Sequence, residues 1–231
     1  MIREMEGKVK NMIPVKTVLV SVFDKTGLDQ LVNSLIEWCS PITFLSTGGT
    51  YKKLKEIIPN NDNAEVIEIS DYTGFPEMEG GLVKTLHPKI HAGILGERNN
   101  QKHQDYLQQL GNAQYIDLVV VNLYPFGKVI ADPNVTFEKA RGNIDIGGPT
   151  MIRAAAKNFP SCAVLCNPAD YTGFSEELAY NLGKTHFLQR LGLAKEVFDL
   201  TAKYDRAIAD FMVDQIENNH KEIVSYKFEK D

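Results

Sequence analysis

Cysteine is scarce in this sequence: Cys39, Cys162 and Cys166 are the whole complement of its 231 residues. Three thiols cannot all pair with one another, which excludes the disulfide framework of a small secreted domain. Cys162 and Cys166 bracket the apolar run Cys-Ala-Val-Leu-Cys, the pattern of inert core thiols rather than of ligands or nucleophiles. A basic excess is also missing. With 25 Lys+Arg against 30 Asp+Glu the net charge is −5, which argues against a general nucleic-acid binder. An anionic small molecule is not excluded, because a few lysines converging in a cleft set the local potential. No apolar run approaches the length of a membrane span. The first ten residues, Met-Ile-Arg-Glu-Met-Glu-Gly-Lys-Val-Lys, lack the apolar core of a signal peptide. Linkers, solenoid-type repeats and low-complexity tracts are absent too. The expectation is a cytoplasmic chain, large enough to bury a sizeable core without disulfides or metals.

What the sequence does hold is an irregular basic stretch from Gly80 to Leu95, Gly-Gly-Leu-Val-Lys-Thr-Leu-His-Pro-Lys-Ile-His-Ala-Gly-Ile-Leu. Pro88 interrupts it, and Lys84, Thr85, His87, Lys89 and His91 crowd into eight positions. A long connection inside a compact domain is usually functional. Cations and proton-transferring side chains on such a loop suit an anionic substrate and acid–base chemistry. The plainer alternative is a solvated loop whose lysines touch only water. His87 and His91 stand four apart, but Pro88 argues against a regular helix there and no third ligand lies nearby, so no metal site is expected.

Around this stretch, strand and helix patterns alternate. Thr17–Phe23 is β-branched and apolar, the look of a strand covered on both faces. The polar turn Asp24-Lys25-Thr26-Gly27 follows, with Thr26 and Asp29 spaced as a capping box, and Leu28, Leu31, Val32, Leu35 and Ile36 then recur at helical spacing. The unit repeats as a strand over 42–45, the turn Ser46-Thr47-Gly48-Gly49-Thr50 and a helix over 51–58. Glycines let backbone approach an anion, and hydroxyls donate to phosphate oxygens. Two such turns at successive strand ends converge on one crevice of a parallel sheet. Two ordinary strand-to-helix turns would look the same locally.

Further strands are expected at 65–69, 117–122 and 162–166, and helices at 101–110, 136–141, 151–158, 170–182 and 185 to about 219. Asn122 and Tyr124 then fall at a carboxyl strand end, where sites are built. Pro149 suits a first helical turn, and Gly147 and Gly148 expose N–H donors near that helix start. The pattern predicts a three-layer α/β/α domain with a mainly parallel sheet. Residues 1–16 read as a flexible N-terminal segment, 17–219 as the domain including C-terminal helices that form an appendage or mediate self-association, and 220–231 as a tail or truncated linker.

Six segments in order, Ser21–Gly27, Ser46–Thr50, Val83–Pro88, Asn122–Phe126, Ile144–Gly148 and Arg153–Asn158, resemble the IMP cyclohydrolase domain at the N-terminus of the bifunctional purine-biosynthesis enzyme. The resemblance covers roughly residues 15–213. It implies a methylglyoxal-synthase-like fold with a five-stranded parallel sheet, a homodimer, and ring closure of 5-formamidoimidazole-4-carboxamide ribotide (FAICAR) to IMP without a cofactor. In the bifunctional enzyme a folate-dependent transformylase follows, and this chain has no length left for it. It is expected to be a stand-alone cyclohydrolase or, as the abrupt tail favours, one cut at a domain boundary. A nucleotide-sensing domain of the same fold, or a methylglyoxal-synthase-type lyase, is the alternative function.

The resemblance also implies roles. Ser21, Lys25, Thr26, Ser46, Gly48, Gly49, Thr50 and Thr85 match phosphate and ribose contacts, and Asn122, Gly147 and Gly148 complete the substrate-binding set. Lys84 matches a catalytic lysine acting on the formamido group, with Tyr124, Asp145 and Lys157 as its polar partners. Asp145 and Lys157 are twelve residues apart, roughly 15–18 Å along a straight helix. They share one substrate only if the glycine segment folds back or Lys157 crosses a dimer interface. Two positions depart from the family pattern: Leu82 stands where arginine is usual, and Phe23 where serine is frequent. Leucine cannot clamp an anion, so weaker substrate binding is expected.

Overall fold

Five parallel strands in the order β4-β3-β2-β5-β6 form the central sheet. They are β2 (Thr17–Val22), β3 (Ile42–Ser46), β4 (Ala64–Glu68), β5 (Leu118–Asn122) and β6 (Ala163–Leu165). The structure, a computed structural model, describes residues 8–59, 61–79 and 82–218. The expected tail (220–231), the first seven residues of the expected flexible segment, and Gly80 and Gly81 lie outside the described residues.

Central strands buried on both faces explain the continuous apolar runs. Side chains alternate across the pleat, so Val18, Val20, Leu118 and Val120 face one layer and Leu19, Val119 and Val121 the other. The first layer is α1 (Leu28–Cys39), α2 (Gly48–Ile57) and α9 (Tyr171–Tyr180). The second holds α3 (Ile69–Thr73), α4 (Pro88–Leu95), α8 (Gly147–Lys157) and α10 (Phe187–Asn218). α5 (Gln101–Gln109) leads into β5, and α6 (Phe126–Ile130) and α7 (Phe137–Gly142) pack Phe126 and Ala140 against Tyr204 of α10. The three-layer α/β/α architecture with a five-stranded parallel sheet is therefore as expected.

Several local expectations are corrected. Met12–Pro14, expected to be loosely held, is β1, and it pairs antiparallel with β7 (Lys184–His186). Ile13 and Val15 are the apolar pair that anchors it, both almost fully buried. β7 takes the first residues of the expected last helix, which begins instead at Phe187. α10 is no appendage: its Ala194 and Val197 belong to the core beside Ile152 and Val164. Arg190 on α10 is fully buried and its five N–H groups reach the carbonyls of Lys10, Asn11, Phe159, Pro160 and Thr185. Pro88 does not break a helix but begins one, because Pro at the first position lacks only an N–H that would be unpaired anyway. The glycine turn at Gly48 is already the first turn of α2, and Gly27, with φ 70°, occupies the N-cap of α1 in place of a Thr26 capping box. The three cysteines are buried, and burial pushes the Cys39 thiol up to about 12 and Cys166 to about 11, as inert core thiols.

Candidate functional site

The carboxyl ends of β2 and β5 open into a cavity of about 570 Å³. Five segments line it: Ser21–Lys25, Thr47–Thr50, Leu82–Leu86, Val121–Tyr124 and Gly142–Gly148, with Met151 of α8. A larger hollow of about 990 Å³ lies at the opposite, amino end of the sheet. There Arg98 pairs with the buried Asp117, whose other oxygen accepts the N–H groups of Lys16 and Thr17 at 2.8 Å each. Its central charges are thus spent on one another. The cavity at the carboxyl ends fits a parallel α/β sheet's usual site.

The first wall is the β2–α1 turn. Asp24 accepts the Thr26 N–H at 2.9 Å, which tightens the turn, and its bonds to Thr26 hold its carboxyl below the usual range. The Lys25 ammonium donates to the Val22 carbonyl at 3.3 Å. Asn122 accepts the N–H groups of Phe23 and Asp24 (2.7 and 2.9 Å) and donates back to the Asp24 carbonyl. Its amide therefore shapes the turn, although the residue does line the cavity. Thr50 is locked in a similar way: its hydroxyl accepts from the Val22 N–H and donates to the Val22 carbonyl, both at 3.1 Å.

The second wall is the start of α2. Gly48 has φ 51°, a left-handed conformation that glycine adopts without strain. A Cβ there would meet the Lys84 Nζ at 3.5 Å, so the lysine of the third segment lies directly over this glycine. Lys84 also pairs with Glu77 at 3.1 Å. The backbone bends sharply just before it, at Val83, whose φ of 57° is costly for a β-branched residue. Behind the loop, the His87 ring accepts the Lys89 N–H at 3.0 Å and caps α4.

The last wall is the start of α8. Asp145 accepts the Gly148 N–H at 2.9 Å, and its own N–H donates to the Tyr204 hydroxyl at 2.8 Å. Burial pushes the Asp145 carboxyl up, against the pull of N–H bonds from Gly148 and Tyr124. A Cβ on Gly148 would lie 2.5 Å from the Asp145 carboxylate, and one on Gly147 2.8 Å from the Thr85 hydroxyl. Only glycine permits both approaches. Tyr124 faces Phe23 at the mouth, ring centroids 5.0 Å apart.

The cavity therefore brings together Ser21, Lys25, Gly48, Gly49, Thr50, Lys84, Thr85, Asn122, Tyr124, Asp145, Gly147 and Gly148. Three expected residues do not line it. Thr26 is exposed outside the lining, and Ser46 is fully buried with its hydroxyl on the Val20 carbonyl at 2.7 Å. Lys157 is exposed at the last residue of α8. That helix runs unbroken from Gly147, about 15 Å long at 1.5 Å per residue, and does not fold back. Sequence reasoning missed Glu77 and Tyr204, and singled out Phe23 only as a departure from the family pattern. No periodicity ties Glu77 to Lys84 across a loop, and Tyr204 reads as one more core aromatic of a long helix.

Among the described residues no helix is long and apolar enough to cross a membrane. The chain matches the MGS-like domain family over residues 27–150 and the AICARFT/IMPCHase bienzyme family over residues 155–231. It is 48% identical over 215 residues to the bifunctional purine biosynthesis protein PurH of Bacillus mycoides (strain KBAB4), covering 93% of this chain and 40% of that protein. PurH of Bacillus thuringiensis (strain Al Hakam) is 46% identical over the same shares. The chain thus spans about 40% of the length of these curated relatives. The crystal structure of ForH superposes with a TM-score of 0.70 at 30% identity, covering 86% of this chain and 99% of that one. By fold and by these matches, the chain belongs to the MGS-like domain family.

Proposed function

We propose that this chain is an IMP cyclohydrolase, closing the ring of FAICAR with loss of water to give IMP. One observation carries the reading: Lys84, Tyr124, Asp145, Lys25 of the β2–α1 turn and the glycine- and hydroxyl-bearing start of α2 border a single cavity at the carboxyl edge of the sheet. The AICARFT/IMPCHase match and the purine-biosynthesis names of the relatives support it.

The reaction is intramolecular. The carboxamide nitrogen attacks the formyl carbon, a C–N bond forms, and the formyl oxygen leaves as water. That water takes one proton from the carboxamide nitrogen and one from the formamido N–H. Holding the two groups in contact supplies most of such an acceleration. In this reading Ser21, Lys25 and the Gly48–Thr50 turn hold the phosphate and ribose, with the first N–H groups of α2 aimed at the anion. Lys84 donates to the formyl oxygen as negative charge builds there, and Thr85 and Gly147 support it. Asp145, its carboxyl raised by burial, accepts from the carboxamide, with Tyr124 beside it. The Gly148 N–H is already taken by Asp145 and is given no part in binding the oxyanion. Lys157 takes part only if a second copy brings it in. The chemistry itself needs no cofactor. The homodimer, the cytoplasmic location and a fused or separate folate-dependent transformylase belong to the same proposal.

The test is to add FAICAR to the purified protein and follow IMP formation. Product with wild type, and none with a folded Lys84→Ala variant, is the expected result. Nucleotide binding without turnover would instead mark a sensor and overturn the reading.

A further inference from the structure

The loop between α3 and α4 is clasped at two points. The Phe75 ring lies against His87, centroids 4.9 Å apart, and the Glu77 carboxylate meets the Lys84 ammonium at 3.1 Å. Lys84 itself points at Gly48, in the first turn of α2. That position is electrostatically odd for a cation. A helix N-terminus carries partial positive charge and exposed N–H donors, and it attracts anions rather than ammonium groups. Lysine is also the side chain with most rotamer freedom to lose on being fixed. Something must hold it there, and Glu77 is the carboxylate within ion-pair distance. The other titratable groups lining the cavity are Lys25, Tyr124 and Asp145.

We propose that Glu77 is the positioning residue for Lys84: it holds the ammonium at the start of α2 and sets where in the cavity that positive charge is presented. Its carboxylate supplies the negative charge that the start of α2 favours. The catalytic consequence rests on the cyclohydrolase reading, whereas the pairing does not.

The experiment uses the full chain with Glu77→Gln and Glu77→Asp. Both side chains are exposed enough for the substitution to spare the core. Lysines are ¹³C-dimethylated, the Lys84 methyl signal is assigned with Lys84→Arg, and its chemical shift is compared among the variants by NMR. In Glu77→Gln the Lys84 signal is expected to move toward the position shared by the solvent-exposed lysines, and Glu77→Asp to restore it. FAICAR turnover is expected to show kcat down about tenfold in Glu77→Gln, KM not raised, and recovery in Glu77→Asp. An unmoved Lys84 signal overturns the pairing. A moved signal with unchanged kcat overturns the positioning role. If the wild type makes no IMP, the cyclohydrolase reading falls while the NMR signal still decides the pairing.

Discussion

The Thr85 hydroxyl rests against Gly147 so closely that a Cβ built on that glycine would lie 2.8 Å from Thr85 Oγ1. This contact fastens the loop that carries Lys84 to the first turn of α8. Gly147 does not have a positive φ, so alanine fits its backbone, and the strain falls on Thr85, which is buried. We expect Gly147→Ala to keep the fold with a modest drop in melting temperature, while kcat/KM for IMP formation drops about tenfold, a loss of ~1.4 kcal/mol in transition-state stabilisation. Steady-state kinetics beside a thermal melt checks this. Wild-type kcat/KM would mean the contact does not position the loop.

Leu82 is a second point of leverage. It lines the cavity and is 58% exposed, so its apolar surface is largely open to solvent there. Arginine at this position would add a forked, charged donor beside the turns proposed to hold the phosphate. Leu82→Arg is therefore expected to tighten IMP binding about tenfold, with hydrogen bonds to charged groups worth roughly 1.5–3 kcal/mol. Calorimetric titration of both proteins decides it, and equal affinities would refute the idea that this position matters.

The extent to which such sites can be read in advance depends on the physics behind each residue. β5 was legible because a strand buried on both faces must be apolar along its whole length, and Leu118–Asn122 is. Lys84 and Thr85 stood out because polar groups crowd a loop without periodicity. Pro88 was misread because proline both ends and begins helices, and only the His87 ring accepting the Lys89 N–H shows which. β1 was missed because three residues leave too short an alternation to notice. Asn122 was placed at the site, yet its amide is spent on the Phe23–Asp24 turn, a pairing 98 or 99 residues away that no local pattern announces.

His91 lies beneath the loop that carries Lys84, bonded to the Thr85 backbone, with its Nε2 buried and unpartnered among the described residues. Burial first, against that bond, holds its pKa below the ordinary value, and burial followed by Lys89 does the same for His87. The sign follows from linkage. A folded-state pKa below the unfolded one favours the neutral ring, so its contribution to stability is complete above about pH 6.5 and is lost as pH falls through the folded pKa. The melting temperature should fall between pH 7.5 and 5, and His91→Gln should flatten that slope. Parallel slopes in the two proteins would remove His91 from the explanation.

Arg190 carries the largest stability prediction. It is fully buried with no carboxylate bonded to it among the described residues, and its guanidinium spends all five N–H groups on backbone carbonyls. Burial pulls its pKa down to about 10, which still leaves it charged at neutral pH. Those carbonyls come from the segment before β1, the α8–β6 connection and the adjoining β7, so one side chain ties two distant segments to α10 and the strand that leads into it. Replacing a buried charge by an apolar group costs little only where its partners are replaced as well. In Arg190→Met the carbonyls remain and lose their donors, a penalty of roughly 3–5 kcal/mol for breaking such a network. At about 2–4 °C per kcal/mol for a domain of this size, the melting temperature should drop by roughly 6–20 °C. Arg190→Lys keeps the charge but brings three donors to five acceptors, and its loss should be intermediate. Denaturant unfolding of the three proteins orders them. A methionine variant as stable as wild type would mean that water or a shifted backbone satisfies the carbonyls, and that β1 is held by its pairing to β7 alone.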